Sequence, residues 1–226
     1  MTTTGNPPGT YPAPTKPRRT RTLLMIGAAA VMIGGGAAAV MINRTQQSTT
    51  DSFAGVSSVV VEIDNGSIAM SPAGDDKVGV RTTLNGFAGG IPVAGHRLDR
   101  GVLTITSACP PTSMNCYVED ELTIPAGIPV DVRTTTGTVD ATDIDVPEFD
   151  IQTRTGEVTA SFVRPPDRIA IAVATGSVEL TVPAGSYRFD ARTTTGTVRT
   201  DVQNDPAAQG TMQLSTDTGD ITVTAR

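Results

Sequence analysis

Residues 132–141 read VRTTTGTVDA, and similar strings occupy 151–160 (IQTRTGEVTA), 171–180 (IAVATGSVEL), 191–200 (ARTTTGTVRT) and 214–223 (LSTDTGDITV). The Thr-Gly pair recurs with spacings of 19, 20, 20 and 23 residues, and Asn65-Gly66 is an earlier relative. Apolar residues fill alternate positions on both sides of the glycine, which is the period of a strand with one buried face. Each string therefore predicts a strand, a glycine corner and a second strand.

The apolar positions of these units align in columns. Two residues after the glycine stand Val139, Val158, Val178, Val198 and Ile221, and five residues before it stand Val132, Ile151, Ile171, Ala191 and Leu214. A single unit cannot bury its own apolar face, whereas stacked units turn each column into a buried ladder. The period predicts an all-β fold, a repetitive β-solenoid or β-roll of about 20-residue coils, ahead of a sandwich of hairpins.

The glycines are predicted to form the repeat turns, because a side chain would clash where the backbone reverses with positive φ. The predicted turn glycines are Gly66, Gly137, Gly156, Gly176, Gly196 and Gly219.

Two segments, LTIPAGIPVDVRTTTGTVDA (122–141) and VELTVPAGSYRFDARTTTGTV (178–198), combine Pro-Ala-Gly with a following Thr-Gly turn. In this combination the chain resembles the bacterial putative-adhesin family, whose domains are also called toastrack-like, over about residues 59–226. The resemblance implies a β-solenoid-like fold at the bacterial surface, often near envelope-stress systems. It implies no established catalytic activity and transfers no catalytic residue.

The N-terminal part of the chain differs in composition from the repeats. Residues 1–22 are rich in Pro, Thr and Gly and predict a disordered tail. Residues 23–42 contain no charged side chain and, as a helix, would span about 30 Å, so they predict one transmembrane helix. A cleaved signal peptide is the alternative, since 37–39 is a small-residue run. Residues 43–55 are predicted to be a linker and 56–226 the β-solenoid domain.

Charge predicts the orientation of the chain in a membrane. Four cations, Lys16, Arg18, Arg19 and Arg21, precede the apolar run, and only Arg44 closely follows it. The positive-inside rule then places the N-terminus in the cytoplasm and the C-terminal domain outside it. From residue 45 onward the chain has 12 basic and 23 acidic residues, a balance of −11. Such a domain repels phosphate backbones, so we expect no nucleic-acid partner.

Cys109 and Cys116 are the two cysteines of the chain and flank a segment that contains two prolines. In an oxidising compartment they predict a disulfide. A redox-active pair is the alternative, but such pairs are more often spaced as Cys-x-x-Cys.

No residue set predicts catalysis, and we expect no cofactor and no metal site. His96 is the only histidine and is interpreted as a loop or edge residue, and the acidic run 119–121 as a solvated strand face. The pairs Asp131/Arg133 and Asp190/Arg192 predict outward ion pairs along the stack. The Thr-x-Thr runs before the glycines share the inward face and predict hydroxyl groups that cap the turns.

Two functions from different classes fit these observations. The first is a non-enzymatic, membrane-anchored extracytoplasmic module for surface binding, adhesion or envelope stress, which binds an envelope polymer, a protein partner or another copy of itself. The alternative is a β-helix enzyme acting on cell-envelope polysaccharide, which would require paired carboxylates about 5 to 10 Å apart.

Overall fold

The computed structural model describes residues 44–87, 90–110 and 115–226, which fold into strands joined by turns. Within these ranges no helix is long and apolar enough to cross a bilayer. The predicted tail (1–22) and transmembrane helix (23–42) lie outside the described residues.

Seventeen strands form the described part of the chain. They are β1 (Arg44–Ala54), β2 (Ser58–Pro72), β3 (Lys77–Phe87), β4 (Val93–Asp99), β5 (Val102–Ala108), β6 (Asn115–Ile124), β7 (Val130–Thr136), β8 (Val139–Ile144), β9 (Glu148–Thr155), β10 (Val158–Phe162), β11 (Arg168–Thr175), β12 (Val178–Val182), β13 (Ser186–Thr195), β14 (Val198–Thr200), β15 (Gln203–Asn204), β16 (Thr211–Thr218) and β17 (Ile221–Ala225).

Strand pairing produces two long ladders, sheet A and sheet B. Sheet A runs β1–β3–β6–β2–β8–β10–β12–β17–β14. Sheet B runs β4–β5–β2–β7–β9–β11–β16–β13. The long strand β2 turns the corner and contributes to both. Pairing is parallel except at β1–β3, β3–β6 and β4–β5. The prediction of an all-β, solenoid-like fold is confirmed.

Each coil from β7 to β17 is a strand of sheet B, a glycine corner and a strand of sheet A, as in β7–Gly137–β8. The inward residues of both strands form one continuous core that includes Val132, Val139, Ile151 and Val158, each at most 1% exposed. Backbone hydrogen bonds continue through the corners, as where the N–H of Gly156 donates to the carbonyl of Thr175 at 2.9 Å. Backbone hydrogen bonds between neighbouring coils therefore continue from sheet B to sheet A at the corners of Gly137, Gly156, Gly176 and Gly219.

The coils do not stack in chain order. The coil β16–β17 comes last in the sequence, yet it lies between β11–β12 and the coil β13–β14. At the other end, β2 lies between β5–β6 and β7–β8. Only the central coils from β7 to β12 follow one another in sequence and in space.

The corner glycines record the same order. A Cβ on Gly137 would overlap the carbonyl oxygen of Gly66, and one on Gly156 would overlap that of Gly137. In the same way, a Cβ on Gly176 would overlap the carbonyl oxygen of Gly156, one on Gly219 that of Gly176, and one on Gly196 that of Gly219. Gly219, which belongs to the out-of-order coil β16–β17, therefore lies between Gly176 and Gly196. Gly66 itself lacks positive φ, but its Cβ would meet the carbonyl oxygen of Val118. The turns exclude side chains because neighbouring backbones approach too closely.

Because β16–β17 lies inside the stack and β13–β14 at its end, one expected core position is wrong. Val198 was predicted to share the buried column of Val139, Val158 and Val178, but it is 39% exposed. Because β14 is the last strand of sheet A, no further coil covers Val198. Phe189 and Ala191 of the same coil are likewise only partly buried.

The opposite end of the stack is closed by antiparallel strands. β3 pairs with β6 and β1 with β3, while β4 extends sheet B beyond β5. The predicted linker 43–55 therefore contains a strand, β1, which pairs with β3 over its whole length. Its residues are mostly polar because β1 is an edge strand with little core to cover. We refer to this end as the capped end.

Candidate functional site

An open groove of about 330 Å³ runs over the outer face of sheet B. Ile169, Ile171 and Val173 of β11 point into the core, so the alternate residues Ala170 and Ala172 point outward. Their small side chains form the floor of the groove. The walls rise on both sides and are lined by Asp150, Gln152, Arg168, Asp190, Arg192, Gln213 and Ser215. We call this feature the alanine groove.

Register places amides and carboxylates directly beside the alanines. Asp150 and Gln213 flank Ala170, while Gln152 and Ser215 flank Ala172. The charges at the rim are paired, with Arg168 Nη2 3.6 Å from Asp150 Oδ2 and Arg192 Nη2 2.7 Å from Asp190 Oδ2. The groove thus offers hydrogen-bond donors and acceptors with little net charge. An extended, polar, uncharged chain matches this chemistry.

The two predicted ion pairs form within their strands, and Arg133 Nη1 also lies 3.6 Å from Glu62 Oε1 of the neighbouring strand β2. Arg133 Nη2 lies 2.6 Å from Asp131 Oδ2, and Arg192 contacts Asp190 through both Nε and Nη2. Asp131 also lies beside Asp150 in the register of β7 with β9. Burial raises the pKa of the Asp131 carboxyl, and the nearby Asp150 adds to the rise, while the Arg133 guanidinium opposes it. Two carboxylates therefore stand next to each other on neighbouring strands.

A hydrogen-bonded group of four side chains lies at the capped end, and we call it the polar relay. Thr82 Oγ1 donates to Asp120 Oδ1, and His96 Nε2 lies 3.0 Å from the same hydroxyl. His96 Nδ1 lies 3.0 Å from Asp51 Oδ2. Strands β6, β3, β4 and β1 each contribute one member.

Burial within the polar relay decreases from Asp120 to Asp51. Asp120 is 1% exposed and Thr82 0%, whereas the side chains of His96 and Asp51 are 7% and 52% exposed. Burial raises the pKa of the Asp120 carboxyl, against the opposing effects of the Thr82 hydrogen bond and the His96 charge. The order Asp51–His96–Thr82 resembles an acid–base–nucleophile triad, but a hydroxyl with no exposed surface cannot reach a substrate. The relay is therefore structural or regulatory rather than catalytic.

One interpretation from the sequence holds here and one changes. His96 lies on the edge strand β4, one of the two positions expected for it, and its ring is buried. The acidic run was interpreted as a solvated face, yet Asp120 points into the core and only Glu119 and Glu121 are exposed. The alternation of Val118, Asp120 and Leu122 was the signal that could have placed Asp120 inside.

The remaining predicted residues lie at the corners. The predicted disulfide is confirmed: Cys109 and Cys116 are bonded, with 5.7 Å between their Cα atoms, and they close the corner between β5 and β6 that lacks a glycine. At the glycine corners, Thr193 and Thr216 donate hydroxyl hydrogens to the carbonyls of Gly219 and Gly176. Within the described ranges, no three His, Cys, Asp or Glu side chains converge as possible metal ligands.

The repeats match a known family model. Residues 126–224 match the model described as Toastrack DUF4097. Over these residues the chain is similar to toastrack domains. The range includes the coils from β7 to β17 and all five Thr-Gly corners, so the resemblance to toastrack-like domains is confirmed there.

Solved structures also align with most of the chain. A "putative cell adhesion protein" from Clostridium sporogenes aligns with a TM-score of 0.61 and 9% identity, covering 80% of this chain and all of that one. A "putative adhesin" from Bacteroides fragilis aligns with a TM-score of 0.36 and 12% identity, covering 80% and 97%. At 9% identity, the alignment with the Clostridium sporogenes protein shows a similar fold alone. No curated protein matches the chain.

Proposed function

We propose that the chain is a membrane-anchored, non-enzymatic binding module outside the cytoplasm, with an adhesion-like role. The alanine groove is the observation that carries this proposal. Its floor of Ala170 and Ala172 admits a chain against the sheet, and its walls present Gln152, Gln213 and the paired Asp150. We propose a polyhydroxylated envelope polymer as its ligand, because amide and carboxylate groups bind hydroxyls without requiring ligand charge.

Three features support the proposed location. The disulfide between Cys109 and Cys116 suits an oxidising compartment. The apolar residues 23–42 stand directly before β1, and cations are concentrated on their N-terminal side. An anchor at 23–42 would hold the toastrack domain near the outer surface of the membrane.

Filling the groove provides the test. Ala172→Gln should lower retention of the full-length protein on insoluble peptidoglycan sacculi at least about tenfold, because the longer side chain occupies the floor. The matched control is Ala69→Gln, an exposed alanine on the outer face of sheet A, which should bind as the wild type does. Equal retention of the two variants, or no retention of the wild type, would refute the proposal for this polymer.

An enzyme acting on envelope polysaccharide is the second candidate, and one observation favours it. Asp131 and Asp150 are register neighbours, and the pKa of Asp131 is raised, as an acid catalyst requires. Both carboxylates, however, lie on the same outer face of sheet B, and they are paired with Arg133 and Arg168. Release of soluble sugar fragments by the wild type, and its loss in Asp131→Asn, would establish this alternative and displace the binding module.

A further inference from the structure

The polar relay joins the outermost strands of both sheets at the capped end. Asp51 belongs to β1, the edge of sheet A, and His96 to β4, the edge of sheet B. Phe53 of β1 also packs edge-on against the His96 ring, with centroids 6.1 Å apart. Since β1 and β4 are not neighbours in any ladder, these side-chain contacts hold the two edges together across the core.

All three contacts of the relay can be hydrogen bonds only if the relay holds one proton more than two carboxylates, a neutral imidazole and a hydroxyl carry separately. If Thr82 donates to Asp120, the hydroxyl must accept from His96 Nε2–H, and Nδ1–H must then face Asp51. This arrangement is an imidazolium between two carboxylates. If the proton instead resides on Asp120, then Asp120 donates to Thr82, Thr82 donates to Nε2 of a neutral ring, and Nδ1–H still faces Asp51. Both arrangements contain the same number of protons and complete all three hydrogen bonds.

When that shared proton is lost, only the hydroxyl hydrogen and one imidazole hydrogen remain, and they cannot complete all three hydrogen bonds. If the remaining imidazole hydrogen stays on Nε2, the Nδ1 lone pair faces the Asp51 carboxylate, and the contact between β4 and β1 becomes repulsive. If it moves to Nδ1, the link between Thr82 and His96 or that between Thr82 and Asp120 is lost inside the core. Asp120 would then be a buried carboxylate without a compensating charge, and its Oδ2 already has no partner among the described residues.

We propose that Asp51, Thr82, His96 and Asp120 form a proton-operated latch that fastens β1 to the capped end of the domain. The charged groups that face His96 are Asp51 from β1 and Asp120 from β6, while β5 presents Ile105 and Ser107 and β3 presents Thr82. The other charges of β4, Arg97 and Asp99, are exposed. The latch is closed in mildly acidic solution and opens as the pH rises.

The direction follows from the proton count. Once the separated groups are a neutral imidazole and two carboxylates, the closed relay holds one proton more than the open one. Stabilisation of the closed form by that proton is therefore lost as the pH rises. The raised pKa of Asp120 acts in the same direction. Because β1 directly follows residues 1–43, opening would loosen the connection between the domain and its N-terminal segment.

Hydrogen–deuterium exchange of the full chain tests the latch. After correction for the intrinsic pH dependence of exchange, the protection of β1 should fall by up to about tenfold per pH unit as the solution changes from mildly acidic to mildly alkaline, while that of β9 and β10 should stay constant. In Asp120→Asn, the amide mimics the protonated carboxyl and can donate to Thr82, so β1 should stay protected at every pH. Asp140→Asn, which changes an exposed carboxylate on β8, should behave as the wild type does.

Two further measurements separate a latch from ordinary packing. Thr82→Val should abolish the pH dependence of β1 protection, and Thr82→Ser should retain it, because only the hydroxyl transmits the proton. His96 is the only histidine, so its ring resonance is assigned without ambiguity, and its titration midpoint should coincide with that of β1 exchange. The proposal is overturned if β1 exchange is independent of pH in the wild type, if Asp120→Asn changes with pH as the wild type does, or if the ring titrates without a change in β1.

Discussion

Gly156→Ala is expected to destabilise the protein by about 3 kcal/mol or more, or to prevent folding. A Cβ at this position would overlap the carbonyl oxygen of Gly137, which belongs to the backbone of the neighbouring coil. Backbone cannot rotate away as a flexible side chain can, so the two coils would have to separate. Separation would also break the ladder in which Gly156 donates to Thr175. Urea denaturation followed by circular dichroism measures the loss of stability.

Gly74→Ala is the matched control for this change. A Cβ on Gly74 would meet no atom within 4 Å, and its backbone lacks positive φ. The substitution should therefore change the free energy of unfolding by less than about 0.5 kcal/mol. Equal effects at the two glycines would show that close coil contact is not the reason for glycine at the corners.

Val158→Ala should cost about 2 kcal/mol, whereas Val198→Ala should cost less than about 0.5 kcal/mol. The two valines occupy the same position of the repeat, two residues after the corner glycine. Val158 is fully buried between β8 and β12, so truncation leaves a cavity, but Val198 lies in the terminal strand and is largely solvated. Urea denaturation of both variants under the same conditions provides the comparison.

The outcome of this pair is sensitive to the order of the coils. If β13–β14 were followed by β16–β17 at the end of the stack, Val198 would lie between two coils and the two substitutions would cost the same. A large loss of stability at Val198 would therefore contradict the observed topology.

The repeat itself could be predicted from sequence because its physical cause is local. Alternation fixes which residues share a face, and the glycine marks where two backbones meet, so the columns of Val132 and Val139 are visible without a structure. The order of the coils is different, because every coil presents similar apolar columns and could stack on any other. The spacing of 23 residues before Gly219 was the one local indication, since the longer connection 201–210 carries the chain back past one coil.

The functional features were less predictable because they depend on which strands lie side by side. The alanine groove depends on which residues lie on the strands beside β11, and one of those strands, β16, is out of order. The polar relay unites side chains that are far apart in the chain, from Asp51 to Asp120, on strands whose pairing the repeat does not describe. The burial of Asp120 could be predicted from its apolar neighbours two residues away, but its partners could not.

Engineered disulfides measure the order of the coils directly. Ala170 and Gln213 are outward-facing register neighbours on β11 and β16, so Ala170→Cys with Gln213→Cys should oxidise to an additional disulfide, since adjacent strands lie about 4.8 Å apart. Ala170→Cys with Asp190→Cys should not, because β16 separates β11 from β13. Peptide mapping by mass spectrometry distinguishes the new bond from Cys109–Cys116. Bond formation in the first variant alone is the predicted result. Bond formation in the second alone would contradict the position of β16 between β11 and β13.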